Sequence, residues 1–136
     1  MLKKIIPLFF STLVIFSCNH KQERPTTALD TGRAFIRATL DGDFDAAQAL
    51  LYQDSLNVQF FNLYKTQYDR SPDADKKNYK DADYTINKYD DVNDSVTVIN
   101  YSNSYMKKPL EIKVIKKDNE WQIDFKYTIS GNSSNN

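Results

Sequence analysis

One cysteine, one histidine and three glycines are all that this 136-residue chain has of the residue types that usually build disulfides, metal clusters and phosphate loops. A lone cysteine leaves no intramolecular disulfide to form, even in an oxidising compartment. A lone histidine, His20, stands in a polar stretch with no partner to orient it, so no Ser/His/Asp arrangement and no zinc set of Cys and His is available. Gly32, Gly42 and Gly131 are too widely spaced for a glycine-rich phosphate loop. The chain also lacks a long hydrophobic run. Its longest apolar stretch, Ile5 to Phe16, has twelve residues and is interrupted by Pro7, Ser11 and Thr12. A membrane-crossing helix needs about 20. Finally, no basic stripe is present, which excludes nucleic acid as an expected partner. From these absences no catalytic set, no cofactor site and no metal site is expected.

The N-terminus has its own order. Lys3 and Lys4 precede the apolar stretch, and small Ser17 and the single Cys18 follow it. Charged, apolar and small-residue regions in that order are the layout of a secretory signal. The stretch Ile15-Phe16-Ser17-Cys18 resembles the lipobox of bacterial lipoproteins, in which the cysteine receives a diacylglycerol and a peptidase cuts before it. That resemblance implies a lipoprotein signal peptide over 1–17, lipidation at Cys18 and an anchor in the membrane of the bacterial cell envelope. Two or three acyl chains make such an anchor lasting, since each buried methylene contributes about 0.8 kcal/mol. Asn19 stands where aspartate is the familiar inner-membrane retention signal, so the resemblance favours the outer membrane.

Without residues 1–17 the chain has 119 residues, enough for one domain. Removing Lys3 and Lys4 leaves sixteen basic against eighteen acidic residues, a near-neutral balance. Residues 18–25 read as a polar tether, 26–128 as a folded domain and 129–136 as a Ser/Asn-rich, disordered tail.

Within the domain the hydrophobic period changes once. Thr27 with Asp30 three residues on reads as a helix start, and Leu29, Gly32, Phe35, Ile36 and Leu40 follow at helical spacing. Gly42 ends that helix, and Asp43 caps a second in which Phe44, Ala47, Leu50 and Leu51 share a face. Asp54 or Ser55 starts a third, with Leu56, Phe60, Leu63, Tyr64 and Tyr68 on its apolar side and Pro72 closing it. Asp73 to Lys80 reads as a charged loop. Beyond it the period is two, with a turn over Asp90 to Ser95 and a tight turn at Asp118-Asn119. Leu110, Ile112 and Val114 share one face. Trp121, Ile123, Phe125 and Tyr127 form another, opposite Gln122, Asp124 and Lys126. The expected architecture is α+β, with three N-terminal helices packed on one face of an antiparallel sheet of about four strands.

The stretch Ala34 to Leu51, a long helix ending in Gly-Asp and followed by an aromatic, alanines and a leucine pair, resembles the opening of domains in the nuclear-transport-factor-2-like, or cystatin-like, superfamily. The closest resemblance is to bacterial lipoproteins carrying such a domain of unknown function. It implies a curved sheet wrapped around the first helix, with a cone-shaped cavity that some members use and others fill.

Each candidate site has a plainer explanation. Asp41, Asp43 and Asp45 alternate like the start of a calcium loop, but its glycine and glutamate positions hold Ala46 and Tyr52, so helix capping is expected. Asp90 to Ser95 fits a solvated hairpin turn. The nine tyrosines and Trp121 could form a stacking surface for sugars or aromatic ligands, although strand aromatics are mostly packing, and Trp121 is expected in the core. The leading expectation is a non-enzymatic module binding a small molecule or a protein where the sheet's inner face meets the first helix. The alternative is a small hydrolase or isomerase using an inward carboxylate and a tyrosine in the same cone. A third is a structural envelope protein with a filled cone that meets its partner through the outer face of the sheet.

Overall fold

In the computed structural model, which describes residues 23–128, the helices start where their capping side chains put them. The expected signal peptide, Cys18, His20 and the tail from 129 lie outside the described residues. Thr27 Oγ1 accepts from the Asp30 N–H at 3.1 Å and donates to the Asp30 carboxylate at 2.8 Å, opening α1 (Ala28–Asp41). Gly42 closes it in the left-handed conformation, φ 74°, which costs glycine little. Asp43 caps α2 (Phe44–Ala49) through the Ala46 N–H, and Asp54 caps α3 (Ser55–Arg70) through the Asn57 N–H.

A fourth helix, α4 (Asp73–Lys80), occupies the stretch expected to be a loop. It buries no residue and so has no apolar stripe to reveal it. Its signal lies in its ends. Pro72 sets the entry, Asp73 and Asp75 meet the positive end of the helix dipole, and Lys77 and Lys80 meet the negative end.

Four strands follow: β1 (Tyr84–Asn93), β2 (Val96–Asn103), β3 (Pro109–Lys117) and β4 (Glu120–Ile123). They form one antiparallel sheet in the order β1-β2-β3-β4, giving the expected α+β class. The first hairpin turn is tighter than expected. Asp90 to Asn93 belong to β1, and only Asp94-Ser95 turn, with Asn93 Oδ1 accepting the Ser95 N–H at 2.9 Å. The expected turn at Asp118-Asn119 is there, with both residues at positive φ as a type I′ hairpin turn requires. The last strand is shorter than its alternation suggests. It stops at Ile123, and residues 125–128 form a helical turn.

α1 lies across β2, β3 and β4, while α2 and α4 pack beside it. The inner face of the sheet presents Thr97, Ile99, Ile112, Val114 and Ile123 to it, all essentially buried. At Gly32 the helix comes so close that a Cβ would drive into Ile99 Cδ1 and meet Ile112 Cδ1 at 3.2 Å. α3 packs on this layer through an aromatic cluster. Phe61 lies 5.3 Å edge-on from Phe125, 6.2 Å from Phe35 and 5.7 Å from Phe44. The buried side of α3 is Asn57 and Phe61, continued by Tyr64 and Tyr68. Leu56 and Leu63, expected inside, are 50% and 55% exposed. A polar residue at position 57 hides this stripe from a hydrophobicity pattern. β4 is not a free edge. The Tyr52 N–H donates to Ile123 O, and the Ile123 N–H donates to Leu50 O, so the chain after α2 covers it.

Trp121 is only partly buried and packs against the rim of the core. Phe61→Ala should lower stability by about 3–5 kcal/mol. Trp121→Ala should cost clearly less, and urea unfolding of both variants checks the order. Equal losses would return Trp121 to the core.

Candidate functional site

Ahead of the first turn of α1 the inner face of the sheet is left uncovered. There a cleft of about 580 Å³ opens, lined by Thr26 to Leu29 at the helix start and by Tyr89, Asp91, Asn93, Asp94, Thr97 and Trp121 from the sheet. Register explains why these side chains meet. Directly paired residues point to the same face, so Tyr89 opposite Ile99 and Asp91 opposite Thr97 face inward. Trp121, two residues before the inward Ile123, does the same.

This parity depends on one extra residue. The β1–β2 register slips between Ile86 and Lys88, leaving Asn87 as a bulge. Asn87 is fastened outside, donating to Asn100 Oδ1 at 2.9 Å and accepting from the Ser102 hydroxyl at 3.2 Å. Without the slip, Lys88 and Asp90 would face the cleft. They pair with each other instead, at 2.7 Å.

The polar floor is ordered. Thr97, 1% exposed, donates its hydroxyl to Asp91 Oδ1 at 2.6 Å and aims the carboxylate. Tyr89, 52% exposed, and Trp121 supply aromatic walls. Trp121 also lines a neighbouring cavity of about 360 Å³ together with Lys116, whose Nζ lies 5.6 Å from the indole centroid. Lys116 pairs directly with Trp121 across β3 and β4 and lines the neighbouring cavity, not the first cleft.

The expected cone is filled. Where a ligand cavity would lie between α1 and the sheet, Phe35, Ile36, Ile99, Ile112 and Phe125 are packed together. Tyr64 and Tyr101 are driven into this apolar region, and burial pushes the Tyr64 phenol up to about 12 and raises that of Tyr101 further. Tyr68, Tyr79 and Tyr105 continue outward as ring contacts, 6.4 Å and 4.8 Å between centroids. These tyrosines pack the mouth rather than present a stacking surface.

Asp124 is buried, although its β3 neighbour Lys113 belongs to the outer face. Its carboxylate lies 3.7 Å from Lys113 Nζ and 3.8 Å from Lys126 Nζ. Lys126 in turn holds Asp54 at 2.7 Å, and the fully buried Asn57 accepts the Lys126 N–H at 2.8 Å. This network pins the helical turn at 125–128 to the start of α3. Sequence reasoning missed Asn57 altogether. Asp41 pairs with Arg37 at 2.9 Å and Asp43 caps α2, in line with the capping explanation for that aspartate run.

No protein-family model matches the sequence, and no curated protein matches it. Among solved structures the chain is similar to an NTF-2 like protein of unknown function from Shewanella oneidensis MR-1. The identity is 17%, the TM-score is 0.49, and the match covers 70% of this chain and 89% of that one.

The hydrogen bond from Lys126 holds the Asp54 carboxyl below its ordinary value of 3.8. A depressed carboxyl contributes stability that is present above the unfolded value and is lost as pH falls through the folded one. Asp54→Asn keeps a good cap and removes the charge. The variant should therefore be less stable at neutral pH, and the gap should close below about pH 4. Urea midpoints across that range read the effect; a gap independent of pH would count against the pairing.

Proposed function

We propose that the chain is a small binding module held on the bacterial cell envelope by a lipid at Cys18, outer membrane favoured, whose ligand occupies the cleft between the start of α1 and the sheet. Membership of the nuclear-transport-factor-2-like superfamily is part of this reading. The order of helices and strands and the stretch Ala34 to Leu51 support it. The observation that carries the binding reading is a contrast. The inner face is packed solid beneath α1, yet ahead of Thr27 it leaves about 580 Å³ lined by two aromatic rings and convergent polar groups. That size and mixture suit a small molecule.

The hydrolase or isomerase alternative keeps one observation. Asp91 and Tyr89 bring an inward carboxylate and a tyrosine into one cleft. Against it, Asp91 is already held by Thr97 and Tyr89 is half open to solvent, whereas catalysis of this kind favours groups shielded from water. Binding therefore stands first.

Two measurements test the reading. Cys18→Ala should move the protein from the detergent phase to the aqueous phase; retention in membranes would refute the lipid anchor. Trp121 is the only tryptophan in the chain and lines the cleft, so its emission reports occupancy directly. A small-molecule screen should shift that emission for some compounds in the unaltered protein and not after Tyr89→Ala. Shifts that survive Tyr89→Ala unchanged would place binding elsewhere.

A further inference from the structure

We infer that the ligand of this cleft is a compact organic cation, an ammonium group on a small apolar body. The inference rests on the binding reading above and adds the chemical class. Its first support is charge. Among the described residues Asp91 and Asp94 both line the cleft, and no lysine or arginine does. An anionic ligand would meet two carboxylates with no counter-charge from the lining.

The second support is the hydrogen-bonding inventory. Two of the three threonine hydroxyls in the lining are already committed: Thr97 donates to Asp91 and Thr27 donates to Asp30. The positive end of α1 is likewise answered, since Asp30 lies in its first turn and closes the cap with Thr27. The carboxylates of Asp91 and Asp94 are then the charged groups that line the cleft, and they match a ligand that donates and carries positive charge.

The third support is the aromatic pair. Ammonium groups are attracted to the faces of tryptophan and tyrosine rings. The same indole already carries one such group, the Lys116 ammonium 5.6 Å from its centroid. Tyr89 and Trp121 with Asp91 therefore combine ring faces and a carboxylate, the two features that together recognise an organic ammonium.

The test uses three probes of one shape: benzylammonium, benzyl alcohol and benzoate, with glucose as a fourth. Each is titrated into the full-length protein and read by Trp121 emission excited at the red edge. Benzylammonium should bind at least about tenfold more tightly than benzyl alcohol, and benzoate should bind more weakly than either. The preference should shrink as salt is added. It should also fall in Asp91→Asn, where the Thr97 hydroxyl still has an oxygen to bond, and again in Asp94→Asn. Equal affinity for the three benzyl probes, or a response to glucose without one to benzylammonium, would overturn the cationic class and leave the cleft standing as a binding site. Silence of Trp121 to all four would overturn both.

Discussion

α1 lies on β2 and β3 at a distance that admits only hydrogen at position 32. A glycine inside a helix costs roughly 1 kcal/mol relative to alanine. Here the missing side chain lets the helix backbone settle onto Ile99 and Ile112, both fully buried. The consequence runs through the whole domain. With the helix that deep, Phe35 and Ile36 fill the space beside it, and Phe61 and Phe125 seal the far end. A sheet that might have cupped a ligand around α1 instead cups α1 itself. Among the described residues the inner face is left open where α1 does not reach.

What that open part offers is decided by a second constraint. Strand parity allows no half measures, since shifting by one residue exchanges the two faces. The extra residue at Asn87 makes that exchange within β1. Tyr84 and Ile86 face the core before it, and Tyr89 and Asp91 face the cleft after it. The Lys88–Asp90 ion pair is put on the other face by the same slip. A second irregularity between Asp91 and Asn93, with charges along the strand, also makes β1 a poor template for another strand. Leu50 to Tyr52 cover the opposite edge. Both edges of the sheet are thus managed, which directs attention away from strand addition and toward the cleft.

Much of this fold is legible in the sequence, because its caps and periods are local. Thr27, Gly42, Asp43 and Asp54 each do what their side chains or conformational freedom dictate. The change from period 3.6 to period 2 places the sheet. Failures occur where a local rule meets a tertiary one. α3 turns Asn57 inward because that amide holds the turn at Lys126, a contact 69 residues away. α4 lacks an apolar stripe because it buries no residue fully and meets the core through the partly buried Tyr79. The cleft is the least legible feature. Tyr89, Asp91, Thr97 and Trp121 come from three strands and are joined only through the pairing register and one bulge. Trp121 reads as core from alternation alone, since the pattern records which face a residue is on and not whether a helix reaches that far.

Arg24 connects the cleft to the way the chain enters the domain. One guanidinium nitrogen donates to Ala49 O at 2.7 Å and the other pairs with Glu120 beside the β3–β4 turn. The entry point is thereby fixed against both α2 and the sheet, and Thr26 and Thr27, next along the chain, already line the cleft. From Glu23 back to Cys18 the chain has five steps, a reach of at most about 18 Å when fully extended. A lipid at Cys18 would therefore hold the cleft close to the bilayer. Anionic headgroups raise the local concentration of cations within about a Debye length, roughly 10 Å. An acidic, aromatic cleft kept beside such a surface would meet its ligand at the membrane rather than in bulk solution. On the proposed reading the anchor would set where the cleft samples and the lining what it retains.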